Sequence, residues 1–128
     1  MPKRVYIIHG WEGFPEEGWF PWLKKELEAR GFEVQVPAMP DTAEPKIETW
    51  VPFLKKLVGQ PNEDTYLVGH SIGCQTILRY LADLRGDTKL GGVILVAGWI
   101  EKLLGVYGED EIEIARPWLE TSIDLENV

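Results

Sequence analysis

Hydrophobic positions alternate along the chain between short continuous runs and longer periodic stretches. Val5-Tyr6-Ile7-Ile8 is apolar throughout and ends at His9-Gly10, which predicts a buried strand. A loop rich in Gly, Pro and Glu spans residues 11–18. Pro21 suits a first helical turn; Phe20, Leu23 and Leu27 then share one face, and Gly31 fits the stop. Glu33-Val34-Gln35-Val36 alternates, so a second strand with one polar face is expected at a sheet edge. Ile47, Trp50, Val51, Leu54, Leu57 and Val58 recur at helical spacing, and Pro52 must lie in the first turn of that helix or kink it. Residues 65–68 read as a third strand. Residues 74–84 read as a helix with Cys74, Ile77, Leu78, Leu81 and Leu84 inside and Gly86 as its stop. Val93-Ile94-Leu95-Val96 is an unbroken apolar run of the kind buried on both faces. Beyond Trp99 the pattern weakens, and Pro117-Trp118 is expected to open a last short helix.

Strands alternating with helices predict an α/β fold: a three-layer sandwich with a mostly parallel sheet, right-handed crossovers and helices on both faces. A length of 128 residues suits one domain over residues 1–128, long enough to bury a core.

Composition adds exclusions. The chain is 45% hydrophobic and 27% charged, as soluble globular proteins are. A net charge of −8 argues against nucleic acid and anionic membrane surfaces as partners. A single cysteine, Cys74, excludes an internal disulfide framework and a Cys-rich zinc site, and its helix position predicts a buried, structural thiol. No apolar run approaches the roughly 18 residues of a membrane span. Met1-Pro2-Lys3-Arg4 leads straight into a strand with no signal-peptide core, so a cytoplasmic location is expected. No G-x-G-x-x-G follows any strand, so no dinucleotide is expected, nor any other cofactor or metal.

Candidate chemistry centres on Gly69-His70-Ser71-Ile72-Gly73. It follows the strand-like Tyr66-Leu67-Val68 and opens a helical stretch, the strand–turn–helix setting in which G-x-S-x-G reads as a nucleophile elbow. Glycines flank a turn too tight for side chains, and Ser71 is the expected nucleophile. The competing reading is a serine that caps the next helix. The other serine, Ser122, has no such setting. Ile8-His9-Gly10-Trp11 is a second signal, because the loop after an early strand of such folds supplies one oxyanion N–H and the residue after the nucleophile the other. The expected donors are therefore the amides of Ile72 and of Trp11 or Gly10. Trp11 and Trp99 both follow a strand and are candidate walls of a substrate cleft.

A serine nucleophile needs a base, and the only histidines are His9 and His70. His70 precedes Ser71 in the turn and should diverge from its hydroxyl; for both rings the expected role is to shape loops by hydrogen bonding. The order in this fold class is Ser, Asp or Glu, then His. No histidine follows Ser71, and none of Asp83, Asp87, Asp110 and Asp124 sits just beyond a strand end, so no acid is assigned.

The segments 5–10, 19–25, 39–41, 65–74, 77–80 and 92–96, with Arg116-Pro117-Trp118, resemble in order and spacing the small serine hydrolases related to the human retinoblastoma-binding serine hydrolase and its bacterial homologues. The resemblance implies a compact α/β-hydrolase fold without a large lid, with esterase-like chemistry on small ester, thioester or amide substrates. It implies Ser71 as nucleophile, and Ile72 with the loop after His9-Gly10 as the oxyanion hole. It also implies that the family's catalytic Asp and His lie in strands beyond residue 128, so that the chain holds the first two-thirds of the family fold. Residues 93–96 would then form an uncovered edge, an aggregation hazard open to a partner strand or a second copy. Two functions are therefore expected in competition: a serine hydrolase, and a non-catalytic binding protein on the same scaffold.

Overall fold

The computed structural model describes residues 2–84, 86–99 and 108–128. In chain order they form β1 (Arg4–Ile8), α1 (Phe20–Ala29), β2 (Glu33–Gln35), α2 (Ile47–Val58), β3 (Thr65–His70), α3 (Ile72–Ala82), β4 (Gly92–Val96) and α4 (Glu109–Glu120), then a 3₁₀ turn over Leu125–Asn127. The four strands make one sheet in the order β2-β1-β3-β4, and every pairing is parallel.

Alternation along β1 divides the core into two layers. Val5 and Ile7 turn to one face and pack with Val34, Val68 and Phe20 of α1. Tyr6 and Ile8 turn to the other, with Trp50 and Leu54 of α2, Ile77 and Tyr80 of α3 and Trp118 of α4. The sheet thus has helices on both faces, the expected three layers.

Several local expectations are met. A proline stands in the first positions of α1, Gly31 follows that helix at φ +90°, and β2 is a sheet edge. Others need correction. Pro52 lies in the second turn of α2, inside the helix, so of its two expected placements the first turn is removed. α3 begins at Ile72, directly after Ser71, two residues earlier than the periodicity suggests, and it ends at Ala82, before Gly86. α4 starts at Glu109 rather than at Pro117, which sits inside it; the Glu111 carboxylate accepts the Gly108 N–H at 3.2 Å and closes the first turn. The largest departure is β4. Its apolar run reads as buried on both faces, yet Ile94, Leu95 and Val96 are 61%, 42% and 36% exposed. β4 is the last strand of the sheet, as the resemblance implies, and only β3 pairs with it among the described residues.

α4 is tied to the body by Arg79. Its guanidinium, 7% exposed, donates to the carbonyls of Trp118 (2.9 Å) and Thr121 (2.7 Å) and to Gln75 Oε1 (2.9 Å). Trp118 in turn donates its indole N–H to the Pro45 carbonyl at 2.8 Å. Among the described residues no helix is long and apolar enough to cross a membrane.

Candidate active site

The chain leaves β1 toward β2 on one side and returns to β3 on the other, so the loops after β1 and β3 diverge at the carboxyl end of the sheet. Open α/β sheets bind ligands in the crevice such a divergence leaves. Gly10 and Ser71 meet there.

Ser71 joins β3 to α3 with φ +55° and ψ −122°, a conformation that L-residues avoid and that costs about 1–3 kcal/mol. It occupies the N-cap position of α3, but its side chain makes no capping bond. Capping therefore does not account for a serine here. The flanking glycines are required by space. A Cβ on Gly73 would run into the carbonyl oxygen of Ile8 and lie 2.8 Å from that of His9; one on Gly69 would lie 2.9 Å from Ile77 Cδ1 and 3.0 Å from the Cys74 backbone. Contacts this short to backbone cannot be relieved by rotating a side chain.

Gly10 approaches Ser71 from β1. The adjacent N–H groups of Trp11 and Ile72 have no hydrogen-bond acceptor among the described residues, in keeping with Ile72 being the first residue of a helix. The expected oxyanion donors thus stand in the two loops that flank Ser71.

His9 is fully buried. Its Nε2 accepts the Met39 N–H at 3.0 Å, which leaves the ring proton on Nδ1 for donation to the Gly10 carbonyl at 2.9 Å. Burial pushes its pKa down, against smaller upward pulls from the Gly10 bond and the Glu17 carboxylate. Both nitrogens are used, and the neutral ring holds the β1 loop to the loop after β2. His70 is half-buried, edge-on to Trp19 and Phe20 at 5.8 Å from each, and its buried Nδ1 has no partner. Neither ring hydrogen-bonds Ser71. Cys74 is buried, its thiol donates to the Val96 carbonyl at 3.4 Å, and burial raises its pKa.

Beside Ser71 is a cavity of about 270 Å³. Trp11, Trp19 and Phe20 are its aromatic lining residues, Glu17 and His70 its polar ones, and Gly10 and Ser71 line it as well. Of the two tryptophans predicted as walls, Trp11 lines it, with its indole N–H on the Ala43 carbonyl at 3.0 Å. Trp99 does not line it; it packs against the larger core cluster. None of Asp83, Asp87, Asp110 and Asp124 lines the cavity. Glu17, Trp19 and Phe20 escaped the sequence reading as wall residues. The available signal was an aromatic pair at the end of a Glu- and Gly-rich loop that itself leaves a strand's carboxyl end. Among the described residues no group of three or more His, Cys, Asp or Glu side chains could hold a metal ion.

Among the described residues, four other than glycine have positive φ: Glu12, Asp41, Ser71 and Ala97. All four lie in the connections beyond the carboxyl ends of strands, the end that carries the cavity.

The chain is similar to several known proteins. Over 103 residues the chain is 45% identical to the putative hydrolase YdeN of Bacillus subtilis, covering 80% of this chain and 54% of that protein. It is 28% identical over 120 residues to the serine hydrolase RBBP9 of Rattus norvegicus, covering 91% and 62%. The chain therefore spans little more than half the length of these relatives. The crystal structure of the B. subtilis ydeN gene product superposes with a TM-score of 0.85 at 38% identity, over 98% of this chain and 64% of that one. A monoacylglycerol lipase from Paleococcus ferrophilus, at 19% identity and a TM-score of 0.68 over 94% of this chain and 49% of its own, shares the fold. The sequence profile of the serine hydrolases matches residues 5–109, the stretch that builds the sheet and holds Ser71, and to that family the chain belongs.

Proposed function

We propose that the protein is an esterase-like serine hydrolase acting on small acyl substrates, with Ser71 as nucleophile on a nucleophile elbow. One observation carries the reading: Ser71 is held at φ +55° with its hydroxyl uncapped and lines a cavity, and the N–H groups of Ile72 beside it and of Trp11 beside Gly10 have no acceptor among the described residues. Ser71 Oγ attacks the carbonyl carbon of an ester, thioester or amide and gives its proton to a base. The carbonyl π pair moves onto oxygen, where the Trp11 and Ile72 amides stabilise it. Collapse of the tetrahedral intermediate expels the leaving group with that proton and leaves an acyl-enzyme, which water hydrolyses. Trp11 lines the acyl site in this scheme, and Trp99 has no part in it.

Both nitrogens of His9 are engaged and His70 makes no hydrogen bond to Ser71, so in this scheme the base is a histidine from further residues of the protein or from another subunit. The scheme uses no cofactor, and a cytoplasmic setting suits the lone buried thiol. Labelling by a fluorophosphonate probe, mapped to Ser71 and lost in Ser71→Ala, tests the reading. Absence of labelling in a folded full-length protein sinks it.

A second reading, a binding protein on the hydrolase scaffold, is favoured by the exposed face of β4 and by the missing base. A partner strand or a second copy would pair along that edge. A strictly monomeric chain in sedimentation velocity at tens of micromolar, with no strand-shaped partner bound, removes it.

A further inference from the structure

The cavity beside Ser71 holds a chemistry that an acyl pocket for plain hydrocarbon does not need. Three aromatic residues, Trp11, Trp19 and Phe20, line it together with one carboxylate, Glu17. Trp19 packs edge-on against Phe20 with centroids 4.6 Å apart, which fixes two of the walls. Glu17 makes no ion pair among the described residues. The loop that frames the cavity, residues 11–18, carries Glu12, Glu16 and Glu17 and no Lys or Arg. Aromatic rings with a carboxylate nearby attract an ammonium group through ring quadrupole and Coulomb terms together, whereas they repel a carboxylate. The volume, about 270 Å³, falls just under the roughly 300–1,000 Å³ of drug-sized sites, so it takes a small group rather than a long chain.

We propose that this cavity binds a small cationic group, a primary or quaternary ammonium, carried by the substrate within reach of its scissile carbonyl. As a substrate assignment it rests on the hydrolase reading; as a binding site it does not. The favoured substrates are small amino- or ammonium-bearing esters, thioesters or amides, and anionic acyl groups are excluded by Glu17.

The test uses the 128-residue chain and two ligands of nearly equal shape: choline, and 3,3-dimethylbutan-1-ol, in which carbon replaces the charged nitrogen. Binding is read by tryptophan fluorescence and by calorimetry. Choline should bind at least about tenfold more tightly than the alcohol, and Glu17→Gln should remove that margin. Raising salt from 20 to 500 mM should weaken choline and leave the alcohol unchanged, a readout that needs no variant. Equal binding of the two ligands, a preference that survives Glu17→Gln and salt, or no binding of choline overturns the proposal. Fluorophosphonate labelling of Ser71 in the folded full-length protein keeps the two ideas apart. Choline selectivity without labelling leaves the cation site standing and removes the hydrolase; labelling without selectivity does the reverse.

Discussion

Gly10 and Ser71 touch across the crevice between β1 and β3: a Cβ added to Gly10 would lie 3.1 Å from Ser71 Cβ and 3.6 Å from its Oγ. The missing side chain at position 10 keeps the Ser71 hydroxyl open to the cavity. Gly10→Ala should slow fluorophosphonate labelling of Ser71 by about tenfold or more, because a shift of the hydroxyl by a few tenths of an ångström spoils the attack geometry. The rate of labelling against that of the unaltered full-length protein checks this, and an unchanged rate refutes the contact's importance.

Gly73 has a sharper constraint. Its added Cβ meets the backbone of Ile8 and His9, at the end of the central strand, where nothing can give way cheaply. Gly73→Ala should lose about 2–4 kcal/mol of stability in urea unfolding, or fail to fold. Gly86→Ala serves as control: no atom lies within 4 Å of its added Cβ, and its effect should stay within about 0.5 kcal/mol.

Strain at Ser71 gives a prediction of opposite sign. Glycine accepts φ +55° without the Cβ penalty, while alanine does not. Ser71→Gly should therefore be about 1 kcal/mol more stable than Ser71→Ala, after the extra chain entropy of glycine is deducted. Thermal melts of the two variants decide it, and both should be inert to the probe.

His9 makes stability depend on pH. Its folded pKa lies below the ordinary 6.5, chiefly through burial, so between the two values the unfolded chain binds more protons. Stability should be complete above about pH 7 and fall as pH drops through 6.5 toward the folded pKa. Protonation also destroys the Nε2 acceptor of the Met39 N–H. In His9→Gln the slope of melting temperature between pH 5.5 and 7 should flatten; an equal slope in both proteins assigns the effect elsewhere.

Arg79 holds α4 by charge as well as by geometry, since the carbonyls it meets lie at that helix's carboxyl end. Arg79→Lys keeps the charge but cannot reach all three acceptors. It should cost about 2–4 kcal/mol and speed hydrogen exchange in α4 relative to β1. Uniform exchange changes would show that α4 is not separately anchored.

The sequence revealed what local chemistry determines. Ser71 is recognisable because two glycines, a strand and a helix must surround such a turn, and β1, β2 and α1 follow from periodicity and from Pro21 and Gly31. What depends on distant contacts was hidden. Ile94 to Val96 look buried because apolar runs usually find partners, but their exposure depends on which strands pair with β4. α4 was misplaced because the acidic stretch from Glu109 masks a helix that buries only Ala115 and Trp118. The cavity walls depend on how residues 11–20 fold back over the crevice, which no periodicity records.

Backbone conformations divide the molecule into two unlike rims. At the amino-terminal rim, the positive φ values that follow α1 and α2 belong to Gly31 and Gly59. At the opposite rim Gly18 has a positive φ as well, but among the described residues the same kind of conformation is also imposed on four residues with side chains, Glu12, Asp41, Ser71 and Ala97. A chain optimised only for folding would use glycine at both, so four positions forgo stability to present a side chain. Engineering for a more robust scaffold should start from those four and will trade against whatever the second rim does. Grafts, tags and permuted termini belong at the first.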